Sequence, residues 1–80
     1  MLHPVSSELF VKPQIDLVSW GHRLATARKA AGYSQRKAGE MLGVGQRIIV
    51  QWERGRFAPM GDRLRALAVL YGVPLSDIVP

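Results

Sequence analysis

Two glycines with a single residue between them constrain this chain more than any other feature. Gly43 and Gly45 flank Val44 inside the stretch SQRKAGEMLGVGQRIIVQWERG, residues 34–55, and leave room only for a tight turn joining two short helices. Ser34 is placed to cap the first of them, because its hydroxyl can accept a bond from one of the free N–H groups that open a helix. Gly43 ends that helix, since glycine enters the left-handed region without steric cost. Gly45 is a weaker but acceptable cap for the second. Val44 is then the one side chain of the turn free to point into a core. At about 100° per residue, the second helix sets Ile49, Trp52 and Glu53 on one side and Arg47, Gln51 and Arg54 on the other. One face anchors and the other carries hydrogen-bond donors. Gly39, inside the first helix, costs about 1 kcal/mol relative to Ala, which makes sense where another backbone approaches closely.

These residues resemble the helix-turn-helix of the lambda-repressor-like family, the Cro/cI or XRE-type DNA-binding domains. The resemblance is carried by Gln35 opening the first helix, Gly39 at the helix crossing, Leu42-Gly43-Val44 through the turn, Ile49 facing inward, and Trp52, Glu53 and Gly55 at the close. It runs from about Trp20 to Ile78, roughly three quarters of the chain. Two positions depart from the family pattern toward apolar residues, Ile48 and Val50. They either touch thymine methyls or pack sideways against neighbouring helices, and the helical wheel favours packing more for Ile48. Gly61 also stands where the family has an apolar residue at the start of its fourth helix.

Charge distribution points the same way. Net charge is +5, but residues 20–57 alone carry +6, through Arg23, Arg28, Lys29, Arg36, Lys37, Arg47, Arg54 and Arg56 against Glu40 and Glu53. Residues 1–19 sum to −1 and the remainder balances. A clustered cationic excess is an electrostatic footprint for a polyanion.

Residues 1–15 have no helical period and carry Pro4 and Pro13. They read as an N-terminal arm, whose alternation over Glu8–Lys12 fits a strand or simple packing. Its slight acidity argues against a role on DNA and leaves a partner subunit as the functional option. The helix-turn-helix domain is placed at 16–80. From Asp16, a possible cap, Leu17, Trp20, Leu24, Ala27 and Ala31 form a helical stripe stopped by Gly32. Beyond Gly55, the loop Arg56-Phe57-Ala58-Pro59 precedes a helix with Leu64, Leu67, Ala68 and Tyr71 on one face and Asp62 near its positive end. Gly72 stops it, and Pro74 opens a final turn. The expected fold is all-α: a compact bundle of four helices plus a short fifth.

What the resemblance implies is a sequence-specific regulator of transcription, a repressor in the first instance, that binds double-stranded DNA through the major groove with the helix around residues 46–54. Phage-type repressors, antitoxins and restriction-modification controllers all use such a domain. Gln46, Arg47 and Gln51 would read bases, with Val50 against a thymine methyl. Gln35, Arg36, Arg54 and Arg56 would contact phosphates. Arg28 borders the core stripe of its helix as Glu53 borders that of the later one, and the family joins the matching residues in a buried or half-buried ion pair. A homodimer is expected, through Leu75, Ile78 and Val79, with Val69 and Leu70 adjoining. The alternative is a protein-interaction module, antitoxin-like or adaptor, that uses the apolar run Ile48-Ile49-Val50.

An enzyme is not expected. Eighty residues make one domain that buries about 60% of its unfolded surface, with little space for a pocket. No Ser/His/Asp set, carboxylate pair or phosphate-cradling glycine loop is visible. The chain has no Cys, and His3 and His22 have no partner at ligand spacing, so no metal, cofactor or small-molecule substrate is expected. No apolar run approaches the roughly 18 residues of a membrane span. The chain is therefore placed in the cytoplasm.

Overall fold

The computed structural model of the protein describes residues 16–80, so the arm assigned to 1–15 lies outside the described residues. Five helices follow one another: α1 (Leu17–Ala30), α2 (Gln35–Leu42), α3 (Gln46–Glu53), α4 (Gly61–Tyr71) and α5 (Leu75–Ile78). No strand occurs among the described residues, and none of their helices is long and apolar enough to cross a membrane.

Local chemistry sets the helix ends. Asp16 accepts from the Ser19 N–H at 3.0 Å, and Ser34 Oγ accepts from the Lys37 N–H at 2.9 Å, each satisfying one donor that a helix start leaves free. Gly43 closes α2 at φ 74°, ψ 23°, and its left-handed conformation turns the chain back within two residues. Gly61 opens α4 at φ 59°. An apolar side chain would be strained in that conformation.

The core draws on every helix: Trp20, Leu24 and Ala27 from α1, Ala38 from α2, Ile49 and Trp52 from α3, Leu67, Ala68 and Tyr71 from α4, and Ile78 from α5. Leu17, Val44, Ile48 and Leu64 pack against it from its edge. α2 and α3 form the most extensive pair, α1 lies across α3, and α4 with α5 closes the opposite side.

Two of these crossings have no room for a side chain. A Cβ on Gly39 would lie 2.9 Å from the Val44 carbonyl oxygen and 3.0 Å from the Gln46 nitrogen. The backbone approach inferred from that glycine is therefore the helix-turn-helix turn itself. A Cβ on Gly21 of α1 would fall on the Glu53 carbonyl group at the end of α3. Nothing in the periodicity of α1 singles out Gly21, because its role depends on a helix thirty residues away.

Two expectations are corrected. Ala31 is not part of the α1 stripe: it is the C-cap residue and is exposed, since the helix ends at Ala30. Ile78 is not available to a partner, because it is 0% exposed and completes the chain's own core. A single turn packed on α1 and α4 directs one large apolar side chain inward, and in α5 that residue is Ile78. Leu75 and Val79 remain 42% and 37% exposed, and Val69 on α4 is 82% exposed.

Candidate nucleic-acid interface

α3 divides cleanly by position. Ile49 and Trp52 are 1% and 3% exposed, whereas Gln46 and Arg47 are exposed and Val50 and Gln51 are half-exposed. Helical geometry then places Arg47, Gln51 and Arg54 along one outward line, with Gln46 and Val50 on its flank. Ile48 is half-buried and packs against the core. It lines, with Trp52, Phe57, Ala58, Pro59 and Met60, a shallow cavity of about 250 Å³. Val50 is not among the side chains packed on the core.

Several exposed cations lie on α3, on the loop after it and on α2. Arg54 forms the C-cap of α3, Arg56 follows in the loop, and Arg36 stands in the first turn of α2; all three are exposed. Lys29 and Lys37 are exposed as well, and Lys37 reaches Glu40 only at 4.0 Å, a surface contact of small consequence. Leu75 and Val79 stand apart from these residues, on α5.

Arg28, Glu53, Gln35 and Tyr71 form a largely buried polar cluster at the end of α3. Arg28 Nε donates to Glu53 Oε2 at 2.6 Å and Nη2 donates to Oε1 at 3.0 Å, a bidentate pair with side chains 9% and 8% exposed. Arg28 Nη1 donates to the Tyr33 carbonyl at 2.8 Å. Hydrogen bonding to Glu53 holds the guanidinium above its ordinary pKa, against the opposing effect of burial. Gln35 Nε2 donates to Glu53 Oε1 at 3.0 Å. The side chain expected to hold a phosphate is thus joined to the end of α3. That bond had no sequence signal, since Gln35 and Glu53 lie on separate helices and each was read by a different role.

Tyr71 completes the cluster. It is 5% exposed, and its hydroxyl has no hydrogen-bond partner among the described residues. Burial pushes its pKa up to about 12, with the Glu53 charge adding to the effect and Arg28 opposing it.

Among the described residues, no group of three or more His, Cys, Asp or Glu side chains could hold a metal ion. What the outer face offers is a short helix presenting amides and a guanidinium, bordered by cations. Such a surface can hydrogen-bond base edges and neutralise phosphates, but it holds no group placed to break a covalent bond.

Known proteins resemble the chain in sequence and fold. A family model described as helix-turn-helix matches residues 24–78. The chain is 41% identical over 56 residues, 70% of its length, to the HTH-type transcriptional regulator ImmR of Bacillus subtilis (strain 168), and it spans 44% of that relative's length. It is similar in structure to the restriction-modification controller protein C.AhdI from Aeromonas hydrophila, with a TM-score of 0.72 and 27% identity, covering 79% of this chain and 91% of that one. The BldD DNA-binding domain of S. venezulae gives a TM-score of 0.71 and 28% identity, covering 84% of this chain and all of that one.

The cluster generates two expectations. Arg28→Ala leaves the largely buried Glu53 with only the Gln35 amide and should cost up to roughly 3–5 kcal/mol, whereas Lys29→Ala, at an exposed site, should cost less than about 0.5 kcal/mol. Denaturation midpoints compare the two directly, and equal values would show that the pair contributes nothing. The second concerns alkaline pH. A Tyr71 pKa of about 12, against about 10 when unfolded, means that the folded chain keeps a proton that the unfolded chain loses between those values. Stability should therefore fall as pH rises from about 10 to 12, by roughly 2–3 kcal/mol from this group. Tyr71→Phe should be as stable as the parent at neutral pH, or more so, and should lose that part of the decline. Parallel declines in parent and variant would remove Tyr71 as the cause.

Proposed function

The chain belongs to the helix-turn-helix family, and from that premise we propose that it is a sequence-specific regulator of transcription that reads the major groove with α3. The observation that carries this reading is the division of α3 into buried anchors and exposed donors, with the exposed Arg54 at its end and Arg56 just beyond. Gln46 and Arg47, near the N-terminus of the helix, and Gln51 a turn later stand where base edges are met. Gln suits adenine and Arg suits guanine, each through two hydrogen bonds, and the exposed edge of Val50 suits a thymine methyl. Arg36, Arg54 and Arg56 hold phosphates, together with the N–H groups that open α2. Repression is the mode of action we assign, by occupation of the site. The relatives that support the reading are a transcriptional regulator, a restriction-modification controller and a DNA-binding domain.

The protein-interaction reading has less to stand on. Of the run Ile48-Ile49-Val50, Ile49 is 1% exposed and Ile48 packs against the core. Val50 alone is a small apolar contact for a partner. The two readings also differ in salt dependence, which is steep for DNA and shallow for an apolar protein contact.

One short helix contacts only a few base pairs, so we also assign a homodimer with half-sites about one helical turn apart. With Ile78 buried, the contact surface reduces to Leu75 and Val79, with Val69 and the edge of Leu70.

On a duplex selected from a random pool, Arg47→Ala or Gln51→Ala should each lose about 1–3 kcal/mol and relax preference at the contacted base pair. Arg56→Ala should instead weaken selected and random duplexes alike and reduce the salt slope by about one unit. If the first two variants kept the parent's ratio of specific to random affinity, α3 would not be the reader. Sedimentation of the complex on the selected site should give two chains per duplex. A strictly monomeric complex on its optimal site rules out the symmetric arrangement.

A further inference from the structure

The first residue of α2 and the last residue of α3 are joined by one side-chain bond, from Gln35 Nε2 to Glu53 Oε1 at 3.0 Å. An ionised carboxylate only accepts, so the amide must turn its NH₂ group toward Glu53 and its carbonyl oxygen away. Bonds to a charged acceptor are roughly twice as strong as neutral ones, and this acceptor is 8% exposed. The amide is therefore held in place. The NH₂ group carries a second hydrogen, so a phosphate can share the amide with Glu53 without releasing it. Among the described residues, other donors at that point have no partner. Ser34 Oγ takes the Lys37 N–H and the Ser34 carbonyl takes the Ala38 N–H, which leaves the main-chain N–H groups of Gln35 and Arg36 for an anion.

α3 depends on what holds its end. It has eight residues, about 12 Å of helix, and Gly45 caps its start without a side-chain bond. Arg28 ties its end to α1, and Gln35 alone ties the same carboxylate to α2. A hydrogen bond to a base edge fails beyond about 3.5 Å, so a small tilt of so short a helix costs discrimination before it costs binding.

We propose that Gln35 is a positioning residue of the DNA interface: through Glu53 it locks the end of α3 to the start of α2, so that the reading helix and the phosphate-binding N–H groups keep one fixed geometry. This rests on the reading of DNA by α3. Gln35 differs from Arg28 in that its removal leaves the bidentate ion pair in place, so its effect on discrimination separates from its effect on folding.

The test uses the full chain, the duplex selected by the parent, and a random duplex, at two salt concentrations. Gln35→Ala, and Gln35→Met, which keeps the length but not the amide, should lower affinity for the selected duplex about five- to tenfold more than for random duplex, with the salt slope unchanged. Gln35→Glu, which sets a like charge against Glu53, should reduce the ratio at least as far. Denaturation midpoints near the parent's for the Ala or Met variant confirm that the loss is not unfolding. Equal weakening on both duplexes would make Gln35 an ordinary phosphate contact, and unchanged affinity on both would leave it without a role at the interface; either result overturns the inference while the reading by α3 stands. A parent that prefers no duplex overturns the reading itself, and the inference with it.

Discussion

A carboxylate removed from water is costly unless it is compensated from within the protein, and Glu53 is compensated from two directions. Arg28 reaches it from α1 with two hydrogen bonds, Gln35 reaches it from α2 with one, and Glu53 itself ends α3. Three helices therefore converge on two oxygen atoms. A buried pair of this kind is weak support for net stability, because desolvation offsets much of the Coulomb attraction. Its effect on geometry is stronger. Apolar packing among Trp20, Leu24, Ile49 and Trp52 is non-directional and tolerates small slides, while a bidentate guanidinium does not. Packing brings α3 to the core, and the charge cluster fixes where along the core it stops.

Backbone contact acts in the same sense. The Gly21 backbone meets the Glu53 carbonyl, and the Gly39 backbone meets the turn between α2 and α3. α3 is thus bounded by main chain on two sides and by a carboxylate cluster at its end. These limits do not involve the residues that face outward.

Much of this was legible in the sequence, for reasons that can be named. Ser34, Gly43 and Gly45 act locally, through capping and a left-handed turn, so their positions fix the helix-turn-helix boundaries without knowledge of the rest of the chain. Ile49 and Trp52 follow from helical periodicity. What stayed hidden depends on contacts between distant segments. Gly21 reads as an indifferent glycine in α1 until α3 is laid across it. The amide of Gln35 has donors for a phosphate and for a carboxylate, and only the fold shows that one of them meets Glu53. The burial of Ile78 is hidden in the sequence because exposure in a four-residue turn depends on which neighbours it meets, and periodicity over a single turn carries little information. The expected reading of bases by Gln46, Arg47 and Gln51 belongs to the proposed function, and the fold adds only that these side chains are free to do it.

The alternation of buried and exposed positions along α3 has a consequence for how such a protein can change. Its anchors, Ile49, Trp52 and Glu53, share no position with its outward residues, Gln46, Arg47, Val50 and Gln51. The outward set can therefore be replaced without adding a cavity, an unpaired charge or a clash to the interior. α3 behaves as an exchangeable cassette in a fixed holder. Under the proposed reading of DNA by α3, new target sequences become reachable by a few surface substitutions, so drift in what the domain recognises can proceed faster than drift in its architecture.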